Sequence, residues 1–342
     1  MPRLTASKVH APIYRVCLLQ AWAVVSKNKF LWVLGFFASF LSGVGVYDVL
    51  IRGARGAISR GAFDASFYPL DSLGFKIVSV PAALLSVGGP LPFIIPAFLI
   101  VAFIIALLIW LSAASIAGSM HATAKIIKGK RVDLRDSFAA GVTHFWPVAG
   151  VSVATKLLTS ALLSGLSYPV FLAVKDSGAP TTALYIALFL ILVPAALTVS
   201  FLGLFASAGV VTEKQKLFPA IGIAWKQFSR HWLVSIEMAL LLLGLGALVA
   251  VSALLFALVA SVPFVVLAVV AGLFAGKAGA SFVFMVALLL MLAFIVVVAS
   301  GYTAFQIAAW TILYLRFVEK GAVAKIIRLF SILPKYLTPK RR

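Results

Sequence analysis

The 342-residue chain is 63% hydrophobic and only 11% charged, with a net charge of +20. A soluble domain carries about 25% charged residues, so water is the wrong solvent for most of this sequence. Apolar runs well beyond about 20 residues point to membrane-spanning helices and exclude a barrel, which needs short alternating segments.

The positive charge does not mark a nucleic-acid partner, because the basic residues sit in short segments between the apolar runs, as the positive-inside rule describes. The expected partners are membrane lipids with anionic headgroups, with room for a protein partner or a homo-oligomer. The single cysteine, Cys17, excludes an internal disulfide and a cysteine-based metal cluster and suits packing. No cleavable signal peptide is evident, since the first long apolar run starts near Phe30 behind a polar and basic lead.

Residues 12–28 predict an amphipathic helix, with Tyr14, Leu18, Ala21 or Trp22, and Val25 on one stripe and Arg15, Gln20, Ser26 and Lys27 off it. A first span follows over 30–47, led by Trp32 at the interface. The polar-leaning segment 48–91 reads as a long extracytoplasmic loop with interfacial helices. A second span over 92–117 closes the first unit, 12–118.

The unit recurs over 134–211. Leu134, Phe138, Gly141 or Val142, and Phe145 form its stripe, His144 and Trp146 its interfacial end, and spans over 146–174 and 184–211 a hairpin reversed at KDSGAPT. It recurs again over 216–317. There Phe218, Ile221, Trp225, Phe228 and Trp232 fall at steps of three and four residues, and Arg230, His231 and Trp232 form a hinge into the hydrocarbon. Spans are expected over 232–260 and 282–317, with 263–276 as an interfacial or re-entrant piece. The basic tail 318–342 carries a fourth stripe, Val323, Ile326, Phe330 and Leu333.

Six spans place residues 1–29, 119–143, 212–231 and 316–342 on one side, and these hold 22 of the 29 Lys and Arg residues. The expected fold is therefore an all-α integral membrane protein of about six transmembrane helices. They form three hairpins, each preceded by a cytoplasmic amphipathic helix, in the inner membrane with both termini cytoplasmic.

Chemistry is sparse. His10, His121, His144 and His231 have no ligand spacing, no phosphate loop is present, and Ser119 and His121 lack an acidic partner, so no catalytic, metal or cofactor residues are assigned. Trp22, Trp32, His144, Trp146, Trp225, Arg230, His231 and Trp232 read as interfacial anchors. Two ionisable residues lie deeper. Glu237 is five residues past Trp232 and Lys156 ten past Trp146, which sets them roughly 7 and 15 Å inward at about 1.5 Å per residue. Such groups need a partner or hydration, and so are candidates for function or for an internal ion pair.

The segments AWAVVSKNKFLWVLGFFASFL (21–41) and AWKQFSRHWLVSIEMALLLL (224–243) resemble the span-leading motifs of a loose group of bacterial polytopic membrane proteins. That group includes the glycerophosphoryl diester phosphodiesterase membrane-domain-like proteins. The resemblance implies architecture without activity, because the catalytic work in fused members belongs to a soluble domain that this sequence does not show. The expectation is a non-enzymatic membrane protein that organises membrane or binds a partner. The alternatives are a permease for an amphiphilic or anionic solute, with Lys156 and Glu237 lining a cavity, and a lipid-handling enzyme. Nine acidic residues in all weigh against both.

Overall fold

A computed structural model describes residues 13–42, 91–175, 179–213 and 215–320. Almost all of the expected loop over 48–91, the middle of the KDSGAPT turn and the tail stripe lie outside them. The described residues are nearly all helical, with no strand among them: α1 Ile13–Lys27, α2 Phe30–Ser42, α3 Leu91–Ile127, α4 Leu134–Thr143, α5 Phe145–Lys175, α6 Ala179–Glu213 and α7 Leu217–Lys320. Four stretches are long and apolar enough to cross a membrane, at 98–127, 145–162, 190–213 and 217–318.

Local chemistry sets the corners. α1 stops at Asn28, whose backbone N–H and side-chain Nδ2 both donate to the Val24 carbonyl, at 3.2 and 2.7 Å. The indole Nε1 of Trp32 donates to the Val25 carbonyl at 3.2 Å and fixes the angle between α1 and α2. α3 ends in a Schellman motif: Gly129 has φ 76°, its N–H returns to the Ile126 carbonyl at 2.9 Å, and the Lys130 N–H returns to Lys125 at 3.1 Å. A left-handed residue is needed there, and glycine supplies it without a Cβ clash.

α7 is three helical pieces in one run. The backbone breaks at His231 (φ −130°, ψ 27°) and again at Gly276 (φ 65°, ψ −159°). At Gly276 the chain doubles back. Tyr302 Oη donates to the Leu242 carbonyl at 2.6 Å, the rings of Phe256 and Phe294 meet at a tilt with centroids 4.6 Å apart, and a Cβ on Gly272 would lie 3.5 Å from that of Ala280. These pairs are nearly symmetric about residue 276, so 232–275 and 277–320 are antiparallel arms of one hairpin. The segment 263–276, expected as an irregular interfacial or re-entrant piece, instead continues the first arm as helix up to the break at Gly276. Pro263 is carried within the helix, and a proline breaks a helix only if its neighbours cannot absorb the lost hydrogen bond.

Packing is concentrated at one end. α7 packs against α2, α6, α1 and α3, while α5 packs chiefly against α6 and then α3. The core of this base is aromatic. Phe201 stacks on Phe228 at 5.3 Å, Trp310 meets Phe201 and Phe205 edge-on at 5.7 and 6.3 Å, and Phe205 reaches Phe317 at 5.7 Å. Small residues let the backbones approach. A Cβ on Gly35 would strike the Ser300 carbonyl, one on Gly141 the Ala114 carbonyl, and one on Gly203 the Thr155 hydroxyl. Among the described residues the other end is bare: Leu99 and Phe103 on α3, Leu190 and Ile191 on α6, and Leu254 and Val259 on α7 are all exposed. In the most apolar window of α7, 0% of the residues are buried.

Candidate functional site

Two features stand at the packed base. The first is the seat of α1. Its stripe residues Tyr14, Cys17, Ala21, Val24 and Val25 are buried, and two side-chain hydrogen bonds hold it to α7. Tyr14 Oη donates to Glu237 Oε2, and Arg316 Nη2 donates to Gln20 Oε1 at 3.1 Å. The two lone charges near the base of the long apolar hairpin thus each meet a polar side chain of α1. Burial pushes the Cys17 thiol between them up from 9.0 to about 11, against the lowering pull of Arg316.

The two intramembrane candidates are seated on different helices. Glu237, half-buried on the first arm of α7, is joined to Tyr14. Lys156 is buried on α5 beside Thr159 and Ser160, near the place where Thr155 lies over Gly203 of α6. The Tyr14 hydroxyl was hidden in an apolar stripe. Its signal was a polar oxygen on Tyr14 and another on Gln20, apart from the exposed Arg15, Ser26 and Lys27, along a helix that had to dock on a hairpin with Glu237 and Arg316 near its base.

The second feature is the face of residues 217–230. The residues turned inward are small: Ala220 and Ala224 are buried, and Phe228 is half-buried on Phe201. The rest of the expected stripe points the other way. Phe218 is 83% exposed, Trp225 55% and Trp232 52%, with Ile221 also outside. Lys216, Lys226 and Arg230 are exposed beside them. Two similar amphipathic stripes therefore serve opposite purposes, α1 turning its stripe into the protein and 217–230 turning its aromatics out.

The remaining anchors divide. Trp22 and Trp146 are exposed. Trp32 is half-buried over Gly301, with its Nε1 spent on Val25. His144 is half-buried and caps α4, its Nδ1 lying 2.8 Å from the Ala140 carbonyl. His231, expected as a surface anchor, is buried and stacks on Phe317 at 4.7 Å. The break at this residue swings its ring under the base, because helix 217–230 must leave the direction of the first arm there.

A polar knot also joins α6 to α7. Tyr314 Oη donates to Glu213 Oε1 at 3.3 Å, and Gln215 Nε2 donates to Glu213 Oε2. Among the described residues no three of His, Cys, Asp and Glu come together as a metal site. Comparison with protein-family models, with characterised proteins and with solved structures finds no match.

Proposed function

We propose a non-enzymatic, multi-pass inner-membrane protein that organises membrane or presents a partner-binding surface, with its packed base at the anionic cytoplasmic leaflet. In this reading α2, α3, α5, α6 and the two arms of α7 make six crossings, and both termini are cytoplasmic. The observation that carries it is the outward aromatic face of 217–230. Exposed Phe218, Ile221 and Trp225 beside Lys216, Lys226 and Arg230 match a helix lying in the headgroup plane, apolar face down and cations at phosphate level. Each cation near an anionic surface is worth about 1 kcal/mol, and salt weakens it.

The permease reading draws less support. Phe201, Phe205, Phe228, Trp310 and Phe317 pack together in the base, and the exposed faces described at the other end are apolar. The test is the full chain in vesicles, with an environment-sensitive dye on a cysteine at position 221. Blue-shifted emission is expected with phosphatidylglycerol present, shifting back in high salt. Equal emission in purely zwitterionic vesicles removes the electrostatic part of the proposal.

A further inference from the structure

The α7 hairpin is too long to stand upright in a bilayer. Between Glu237 and the tip residue Lys277, and again between Lys277 and Arg316, roughly 40 residues pass without a charge, a rise of about 60 Å on each arm. The hydrocarbon core is about 30 Å thick. An upright hairpin would therefore push roughly half of each arm out of the far side. Those halves carry no charge and only two polar side chains, Ser261 and Ser281, with Val262, Val266, Leu273, Phe274 and Phe282 exposed.

What covers them follows from which residues are already used. Helices that pack on one another in lipid do so through small residues. At the tip those residues are spent between the arms, where Gly272 faces Ala280 and a Cβ on Gly279 would lie 2.7 Å from both the Ala271 carbonyl and the Ala275 Cβ. Apart from Ala275, Ala278 and Ser281 beside the turn, the surfaces left outward carry bulky Val, Leu and Phe, which suits acyl chains. Both ends of each arm are also anchored. Glu237 and Arg316 are held at the base by Tyr14 and Gln20, and exposed Lys277 must reach a headgroup layer.

We infer that the α7 hairpin is an acyl-chain-binding element that crosses the bilayer obliquely, at about 60° from the normal, with Lys277 at the opposite headgroups. This tilt lies outside the usual range of roughly 0–40° for spanning helices. It makes the hairpin a wedge that displaces lipid on one side of the base. The break at His231 frees the arm to leave the direction of the surface helix. The inference rests on the chain being embedded in a membrane and is independent of which leaflet is anionic.

Spin labels at Leu248→Cys, Leu258→Cys, Val266→Cys and Leu273→Cys, in the full chain in dioleoyl phosphatidylcholine and phosphatidylglycerol vesicles, test it. Depth is read from relaxation by oxygen and by a water-soluble nickel complex, with unlabelled wild type as the control for Cys17. Oblique crossing makes Leu258, near the midpoint of the arm, the deepest site, with Leu248 and Val266 shallower and Leu273 near the far headgroups. An upright hairpin makes Leu248 deepest and opens Val266 and Leu273 to the nickel complex, which overturns the inference. Low access to both reagents at Val266 and Leu273 means that a second copy covers the tip, and this also overturns it. Polarised infrared spectra of the wild type give the tilt without any substitution, and a mean helix angle near the normal counts against the proposal.

Discussion

Tyr14 donates a hydrogen bond to the carboxylate of Glu237, 223 positions away in the chain, and so fastens the first helix to the first arm of the last hairpin. A carboxylate in a poor solvent gains most from a donor of this kind, and removing one partner of such a pair costs about 1–3 kcal/mol. Tyr14→Phe is expected to lower the unfolding temperature in detergent. Glu237→Gln keeps an acceptor and should cost less than Glu237→Leu, and the Tyr14→Phe, Glu237→Leu double variant should lose less than the sum of its parts. An unchanged midpoint for Tyr14→Phe would remove the pair from any structural role.

Cys17 sits along the same seat. Its folded-state pKa of about 11 lies above the ordinary 9.0, so the neutral thiol is the favoured form. The stability linked to this shift is fully present below pH 9 and fades as pH rises through 11. At pH 8 the thiolate population in the folded protein is about 100-fold below that of the unfolded chain. Maleimide labelling of the native protein should be slower by at least that factor and should accelerate steeply toward pH 11. Labelling at the unfolded rate at pH 8 would mean that α1 is not docked.

The alternation of apolar runs and basic collars made the helices legible, since both follow from local composition. The break at Arg230–His231–Trp232 was legible for the same reason: a charged and aromatic cluster marks the end of one environment and the start of another. The direction of each stripe was not. Phe218, Ile221 and Trp225 look as suited to a core as Tyr14, Cys17 and Val25. What separates them is the opposite face, where Ala220 and Ala224 give 217–230 a small inward surface and leave its aromatics outside. Nor was the Tyr14–Glu237 bond readable, because it depends on which helix lies beside the first arm. The continuity of 263–275 was obscured by Pro263, whose local signal favours a break.

Glycine contacts give a test that separates close packing from local helix preference. Gly35→Ala and Gly141→Ala place a methyl group against the carbonyls of Ser300 and Ala114, and backbone cannot swing aside as a side chain does. Each should cost about 1–3 kcal/mol. Gly222, on the surface helix, has nothing within 4 Å of an added Cβ. Gly222→Ala should therefore stabilise by up to about 1 kcal/mol through helix propensity alone. Thermal melts of the three variants in one detergent make the comparison, and a loss for Gly222→Ala equal to the others would show that 217–230 is packed on its open side.

Trp310 supplies the last prediction. The indole is almost fully buried, with Phe201 and Phe205 edge-on at 5.7 and 6.3 Å, yet its Nε1 has no hydrogen-bond partner among the described residues. Trp310→Phe removes two things of opposite sign. It gives up part of the ring volume, which leaves a small void and costs stability, and it deletes a buried donor whose lost hydration costs about 1–3 kcal/mol. The two offset, so Trp310→Phe should lie within about 1 kcal/mol of wild type. Trp310→Ala empties the site and should lose about 3–5 kcal/mol. Phe205→Ala, in the same cluster but without a polar atom, calibrates the cost of a void. If Trp310→Phe unfolds as early as Trp310→Ala, the Nε1 proton is bonded in the folded protein and the indole is held there by more than its volume.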